Sequence, residues 1–275
     1  MMTKKIKRVL YWFVIALLSL IFIFPLYYAF VNSFGSIYQQ PSLFFKSFHP
    51  ENYVHAVTLI PFFRYLKNSI IIVVINVTMG VVLNFMYAYC FARLKAKGKN
   101  WLFTITISTM MIPGFAISIP QYIVLSALNI KDTFLIYPIL GLAGSAYTIF
   151  LFRQFLITFP KEIEEAAIVD GDSYFSIIWH MYLPMCKPII AVVAFSGFCG
   201  AWGDYMTPFM YLSESKYPLA IALFNARYTL PGNPQIQLTN VVLAAALLFM
   251  IPIIIAFFLC QKQLTAGIIE GSVKG

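Results

Sequence analysis

The segment Phe159-Pro-Lys-Glu-Ile-Glu-Glu-Ala-Ala-Ile-Val-Asp-Gly-Asp172 decides how the rest of the chain is arranged, and it runs on to Leu183-Pro184. It holds five of the ten Asp and Glu residues of a chain that is 61% hydrophobic. A charged side chain is costly in hydrocarbon. This concentration of acid therefore predicts a loop outside the membrane, between two apolar spans.

Local signals in this segment predict two short helices joined by a tight turn. Pro160 is favourable near a helix start, and residues 161–169 are good helix formers with glutamates in the early turns, where the helix dipole favours anions. Asp170-Gly171 ends this helix because glycine tolerates the left-handed conformation of a C-terminal cap. Ser173 caps a second helix, which Leu183-Pro184 stops. The predicted apolar face of the second helix comprises Tyr174, Ile177, Ile178, Met181 and Tyr182. A helix, an elbow and a second helix are typical of a loop that fits into a groove of a partner protein.

The composition of the 275 residues identifies lipid as the main solvent of the chain. The hydrophobic fraction of 61% and the aromatic fraction of 17% are typical of a polytopic membrane protein. The net charge of +9 does not indicate nucleic-acid binding, because the positive residues sit at the ends of apolar runs. The four cysteines lack CxxC spacing and the three histidines are scattered, so neither a disulfide framework nor a metal site is expected.

Six apolar runs predict six membrane spans. They cover about residues 9–30, 69–92, 101–125, 134–155, 189–211 and 241–259. The basic N-terminus is compatible with a signal peptide, but the first run is long and lacks a small-residue cleavage site, so we expect a retained span. Pro113-Gly114 and Pro120 break the third span, and Pro138, Gly141 and Gly144 interrupt the fourth. Broken helices in lipid need neighbouring helices or a cavity to satisfy their backbone groups. We therefore expect each of these two spans to face neighbouring helices or a cavity.

The distribution of positive charge predicts the orientation of the spans. Most of the 19 lysines and arginines fall in the N-terminus, the Arg93–Lys99 loop, the acidic loop with its flanks, and the C-terminal tail. By the positive-inside rule these segments are cytoplasmic. The predicted division is residues 1–68 for the first span and an outer loop, 69–262 for a five-span core with the cytoplasmic loop at 156–187, and 263–275 for a cytoplasmic tail.

Three short blocks in the acidic loop resemble a known signature. Glu165-Ala166-Ala167, Asp170-Gly171 and Leu183-Pro184 are similar, in identity and spacing, to the EAA motif of the membrane subunits of bacterial ATP-binding-cassette (ABC) importers. The resemblance implies an all-α membrane protein with the type I ABC importer permease fold, and it implies that these seven residues couple the chain to an ATPase. Glu165 would make charge-assisted contacts, and Gly171 would form the elbow. The alternative is a surface helix pair with solvated glutamates.

Further blocks resemble the carbohydrate-uptake branch of this family, and within it the second permease of maltose transporters. They are Ala88-Tyr89 through Ala92-Arg93, Met111-Ile112-Pro113, Leu128 to Thr133 and the closing Gly271-Ser-Val-Lys-Gly275. The resemblance implies that the tail reaches into the ATPase dimer through Gly271, Lys274 and Gly275. A frayed polar tail is the alternative.

The resemblance also implies the partners: a second homologous permease subunit, two ATPase subunits that bind ATP and Mg²⁺, and an extracytoplasmic sugar-binding protein. The chain has no G-x-x-x-x-G-K-[ST] motif to bind nucleotide phosphates, and no Ser-His-Asp or Cys-His set to supply a nucleophile. We therefore expect a permease and not an enzyme, with no cofactor of its own. Its expected surroundings are the lipids of the bacterial plasma membrane, without nucleic acid.

Asp204 is the acidic residue that falls well inside a predicted span. A charge there indicates a functional position, and Trp202 and Tyr205 beside it would suit a sugar ring. These three residues are the candidates for the substrate path. A structural acceptor, or a contact to the partner permease, is the alternative for Asp204.

The function favoured by the sequence is ATP-driven import of a mono- or oligosaccharide. An ABC permease for a polyol phosphate, polyamine or amino acid remains open, because the EAA motif is shared by those importers. A secondary transporter would need more ion-coupling residues than Asp204. A structural or receptor-like membrane protein would not respond to nucleotide.

Overall fold

The computed structural model describes residues 2–36, 39–226, 228–230 and 233–272, and they are almost entirely helical. The α-helices are α1 Met2–Ser33, α2 Glu51–Thr58, α3 Phe62–Ala92, α4 Lys99–Ser108, α5 Gly114–Ala127, α6 Ile136–Leu142, α7 Ala146–Leu156, α8 Lys161–Val169, α9 Tyr174–Ile177, α10 Leu183–Met185, α11 Lys187–Trp202, α12 Met206–Tyr211, α13 Leu219–Asn225 and α14 Thr239–Ser272. Short 3₁₀ turns cover Thr109–Met111 and Glu214–Lys216, and a π-turn covers Ile178–Tyr182. Strands β1 Thr229–Leu230 and β2 Asn233–Gln237 form an antiparallel hairpin that the sequence did not predict.

Helix length and composition support between three and six membrane crossings among the described residues. Lys4–Ser33, Phe62–Ala92 and Thr239–Thr265 are long and apolar enough to span alone. Three further crossings are possible if each bent helix pair counts as one. The pairs are Lys99–Met111 with Gly114–Ala127, Ile136–Leu142 with Ala146–Leu156, and Tyr174–Met185 with Lys187–Trp202. The predicted helical membrane fold is confirmed, with two differences in its last two spans. The fifth predicted span breaks between α11 and α12, and α14 continues to Ser272, past the predicted end of the sixth span at residue 259.

The break in the third predicted span occurs at Pro113, as predicted, and bends the helix axis by 101°. A proline ring clashes with a helical conformation of the preceding residue. Ile112 accordingly adopts an extended conformation with φ −85° and ψ 118°, after the 3₁₀ turn at Thr109–Met111. Pro120 lies inside α5 without ending it.

The break in the fourth predicted span is supported by side chains of α3, and it bends the axis by 52°. Gly144 has φ +70°, a left-handed conformation that favours glycine. The backbone N–H of Ser145 donates to Oδ1 of Asn84 at 2.6 Å, and the Tyr87 hydroxyl donates to the Leu142 carbonyl at 2.7 Å. Two backbone groups at the break are thus bonded to side chains of α3, as expected where a helix is broken in lipid.

The chain divides into two compact units. One comprises the N-terminal residues up to Arg64 together with Ala222–Pro252. Its core contains Tyr228 and the start of α14, and the buried Asn52 side chain donates to the carbonyls of Ser33 and Gly35, each at 2.8 Å. The predicted boundaries at residues 68 and 262 do not coincide with this division and stay a prediction.

The other unit comprises Tyr65–Ile221 and the chain from Ile253 onward. One apolar cluster packs α3, α7, α8 and the π-turn together, and a second packs α3, α5, α6 and the end of α12. The loop between α5 and α6 is fixed by Asp132, whose carboxylate accepts from the Ser213 backbone N–H at 2.9 Å and pairs with Lys216 at 3.1 Å.

Candidate functional site

The helix predicted from the acidic segment is present as α8, and its C-terminal cap has the predicted form. The Gly171 N–H donates to the Ile168 carbonyl at 3.1 Å, and the Asp172 N–H donates to the Ala167 carbonyl at 3.0 Å. This pair of bonds is the Schellman motif, which needs a left-handed residue at its elbow. Gly171 supplies it with φ +93°. The following helix begins as predicted, because the Ser173 hydroxyl accepts from the Ser176 N–H at 3.2 Å.

The second helix ends at Met185, one residue past the predicted stop at Leu183-Pro184, so Pro184 lies inside its last turn. After α9 the backbone widens into the π-turn, and the helix continues through α10 to Met185. The Leu183 N–H donates to the carbonyl of Ile178, five residues earlier, which is the hydrogen bond of a π-helix. In a regular α-helix the Pro184 ring would meet the carbonyl four residues earlier. We attribute the tolerance of Pro184 to the wider π-turn that precedes it.

Most of the seven predicted coupling residues lie on the surface of the chain. Glu165, Ala166, Asp170, Gly171 and Pro184 are exposed, Leu183 is half-buried, and Ala167 is buried. Apolar side chains extend the same surface. They are Ile168, Val169, Tyr174, Phe175 and Trp179, with Val169 86% exposed. The Phe175 and Trp179 rings stack on each other at 6.3 Å. An exposed apolar patch of this kind, bordered by carboxylates, is typical of a protein interaction surface.

Glu164, which the sequence interpretation did not single out, is buried on the opposite face of α8. Its Oε1 accepts from the Tyr89 hydroxyl at 3.1 Å, and its Oε2 accepts from the Tyr182 hydroxyl at 2.8 Å. Arg93 Nε lies 3.8 Å from Oε2. The signal that could have found it is helical spacing: Glu164 shares a face with Ala167, three residues on, and that face meets the apolar core.

Arg93 follows the last turn of α3 and binds the chain that leads into α8. Its Nη2 donates to the carbonyls of Leu156 and Phe159, each at 2.8 Å. Its guanidinium carbon lies 5.0 Å from the centroid of the Tyr182 ring. The predicted basic segment at Arg93–Lys99 is therefore joined to the acidic loop, and a cleft of about 420 Å³ lies between this segment and α8.

A polar cleft of about 420 Å³ lies among α3, α7 and α11. Its polar lining comprises Asn76, Asn84, Ser145, Tyr147, Thr148, Ser196 and Asp204. Gly80, Gly197 and Gly200 lie between these side chains and leave room. Asn76, Gly80 and Asn84 follow each other at four-residue spacing along α3, so one side of this helix faces the cleft.

Of the three predicted substrate-path residues, Asp204 alone is among the residues that line the cleft. Its Oδ1 also accepts from the Thr207 backbone N–H at 3.1 Å, at the start of α12. Trp202 is buried, with its ring stacked on Phe198 at 5.6 Å. Tyr205 stacks on Phe209 at 5.5 Å. Neither aromatic ring is among the residues that line this cleft, and a sugar-holding role for the three residues stays a prediction.

Of the predicted tail contacts, Lys274 and Gly275 lie outside the described residues. The backbone of Gly271 belongs to the last turn of α14.

Membrane-length helices, a polar cleft beside one of them and an exposed helix–elbow–helix loop are the features of a membrane transport subunit. The chain matches the family model described as "Binding-protein-dependent transport system inner membrane component" over residues 76–270, and it belongs to this family. It is therefore the inner-membrane component of a transport system that works with a binding protein.

Similar proteins agree with this assignment. The chain is 29% identical to Protein LplC of Bacillus subtilis (strain 168) over 92% of its own length and 90% of that protein. It is 28% identical to a probable starch degradation products transport system permease protein, AmyC, of Thermoanaerobacterium thermosulfurigenes over 98% of each chain. A crystal structure of a bacterial ABC transporter involved in the import of the acidic polysaccharide alginate has a chain with the same fold. The TM-score is 0.84 at 22% identity, over 95% of this chain and 98% of that one.

Proposed function

We propose that this chain is one of two homologous permease subunits of a bacterial ATP-driven importer for mono- or oligosaccharides. The observation that carries the proposal is the exposed loop that contains α8 and the Gly171 elbow. The buried face of α8 is bonded to the ends of membrane helices. A loop with one face free and the other attached is what an ATPase needs in order to move the spans. The relatives named for starch degradation products and for alginate favour a carbohydrate.

In this proposal two ATPase subunits bind ATP and Mg²⁺ on the cytoplasmic side, where both termini and α8 lie. The orientation is supported by the excess of lysine and arginine on that side. The ATPase contacts are Glu165, Ala166, Asp170 and Gly171 on the exposed surface of the loop, with Ala167, Leu183 and Pro184 shaping it. Gly271, Lys274 and Gly275 would add a tail contact.

The polar cleft among α3, α7 and α11 would be this subunit's share of the substrate path. Amide, hydroxyl and carboxylate groups can exchange hydrogen bonds with a polyhydroxylated solute as it leaves water. Asp204 is the charged member, and an extracytoplasmic binding protein would deliver the sugar. The second permease subunit would supply the other wall.

The proposal is tested by purifying the tagged chain from its own membrane, identifying the bound proteins by mass spectrometry and assaying ATP hydrolysis in liposomes. The assay adds maltotriose, an alginate oligosaccharide, sn-glycerol 3-phosphate, glutamine or spermidine, each with and without the co-purified binding protein. We expect a second permease, an ATPase and stimulation by an oligosaccharide. Stimulation by glutamine or spermidine alone would overturn the sugar assignment, and a chain without an ATPase would overturn the importer assignment in favour of a secondary transporter.

A further inference from the structure

The buried face of α8 carries a polar junction that the exposed coupling surface does not explain. We propose that Glu164, Tyr89, Tyr182 and Arg93 form a positioning joint, which makes α8 move as one body with the ends of α3 and α7. The joint would carry a displacement of α8 to the walls of the polar cleft. This inference rests on the proposed function, because it assumes that an ATPase moves α8.

Glu164 connects two elements that are far apart in the sequence. Each of its carboxylate oxygens accepts one phenol hydroxyl: Oε1 from Tyr89 in the last turn of α3, and Oε2 from Tyr182 in the π-turn. The two phenol rings also contact each other edge-on, with centroids 5.5 Å apart. A bridged carboxylate fixes both distance and direction, which apolar contacts alone do not.

Arg93 adds the end of α7 to the same junction. Its two bonds to the carbonyls of Leu156 and Phe159 hold the last residue of α7 and the residue that precedes Pro160. Because Phe159 leads directly into α8, the Arg93 guanidinium holds both the end of α7 and the start of α8.

The junction packs against an apolar core on one side and borders the cleft beside α8 on the other. The Arg93 side chain is 2% exposed and the Glu164 side chain is 11% exposed. The surrounding cluster includes Phe85, Phe152 and Ile177. Removal of one member of a buried charged pair leaves the other uncompensated, so the joint holds or fails as a unit.

Two of the helices held by the joint also line the cleft. On α3, Asn84 lines the cleft and Tyr89 follows five residues later. On α7, Leu151 lines the cleft and Leu156 follows five residues later. Five residues of α-helix rise about 7.5 Å. A rigid connection of this length delivers a movement at the joint to the cleft walls.

The test uses the complete complex with its ATPase, and a reporter that does not require the sugar. Ser196 lines the cleft, so a Ser196→Cys substitution, in a background without the native cysteines, reports cleft access to a water-soluble maleimide. Labelling is measured with and without AMP-PNP and Mg²⁺ in three forms: without further change, with Glu164→Gln, and with Glu162→Gln. Glu162 is an exposed glutamate of the same helix and serves as the matched control.

We expect AMP-PNP to change the labelling rate in the parent form and in the control. In the Glu164→Gln form the ATPase should stay bound and active, while the nucleotide effect on labelling falls at least about fivefold, the size of a typical coupling between sites. If Glu164→Gln does not accumulate, Tyr89→Phe decides the question, because it removes one hydroxyl and keeps the buried ring.

If AMP-PNP changed the labelling rate of both Glu164→Gln and Tyr89→Phe as much as that of the parent form, the proposed joint would be overturned. Loss of the ATPase in step with the labelling effect would also overturn it, since the cluster would then serve assembly and not transmission. A parent complex that holds no ATPase would instead contradict the proposed function.

Discussion

A glycine-to-alanine substitution at position 171 separates backbone strain from contact with a partner. Gly171 has φ +93°, and a Cβ built there meets no atom within 4 Å. The left-handed conformation alone therefore sets the cost, about 1–2 kcal/mol for a residue with a side chain. That cost corresponds to a population shift of roughly 5- to 30-fold.

Gly98 is a matched control for this substitution. It has φ +79°, a Cβ there also meets nothing within 4 Å, and it precedes α4 in the basic loop beside α8. The alanine variants at positions 98 and 171 should therefore suffer similar backbone strain in the isolated chain. We expect the two melting temperatures of the purified chain to be alike.

The assay is the amount of ATPase recovered per tagged chain, across a range of salt and detergent washes. Gly98→Ala should retain the ATPase as the parent does. Gly171→Ala should weaken retention at least about tenfold, because a coupling free energy of 1–3 kcal/mol is added to the strain. Gly171→Asp should weaken retention of the ATPase further, while both position-171 variants remain inserted in the membrane. Normal recovery of the ATPase together with normal uptake in Gly171→Asp would refute the coupling role, and equal losses at positions 98 and 171 would reduce the effect to strain.

Three further substitutions test other parts of the structure. Asp204→Asn should change the KM for uptake and leave the amount of complex unchanged, because asparagine keeps an oxygen acceptor but removes the charge from the cleft; unaltered uptake kinetics would assign the residue to its structural bond. Gly144→Ala should destabilise the purified chain by about 2–3 kcal/mol in thermal unfolding, because the new Cβ would lie 3.0 Å from Oδ1 of Asn84 at φ +70°; an unchanged melting temperature would contradict this packing. The Ser213 backbone N–H holds the pKa of the Asp132 carboxyl below its ordinary value of 3.8. The stabilisation contributed by the ionised Asp132 carboxylate is thus present above its unfolded-state pKa and is lost as the pH falls through its folded-state pKa. Hydrogen exchange of its loop, relative to intrinsic rates, should accelerate on acidification in the parent and not in Asp132→Asn; the same acceleration in both would refute the assignment.

Features set by neighbouring residues were predicted from the sequence. The bounds of α8, the glycine cap at position 171, the Ser173 cap and the break at Pro113 all depend on backbone preferences within a few residues. The spans were predicted because lipid requires long apolar helices whatever their partners are.

The partners of the buried face of α8 could not be predicted in the same way. Glu164 and Glu165 are adjacent, and the motif drew attention to Glu165. Which of them turns inward is decided by Tyr89, 75 residues earlier, and by Tyr182, 18 residues later. The placement of Asp204 in the cleft lining, and of the Trp202 ring against Phe198, likewise depends on how a broken helix packs.

The sequence by itself therefore determined the membrane helices and the shape of the loop at Gly171, because these follow from local conformational preferences and from the cost of polar groups in lipid. It indicated the class of protein through the resemblance of that loop to a known motif. Only the tertiary structure decided that Glu164 is held between two phenols, that Pro184 lies inside a helix, and that Asp204 lines a polar cleft. Helical spacing could have placed Glu164 on the inner face of α8, but its partners and the other two outcomes depend on contacts between segments far apart in the chain.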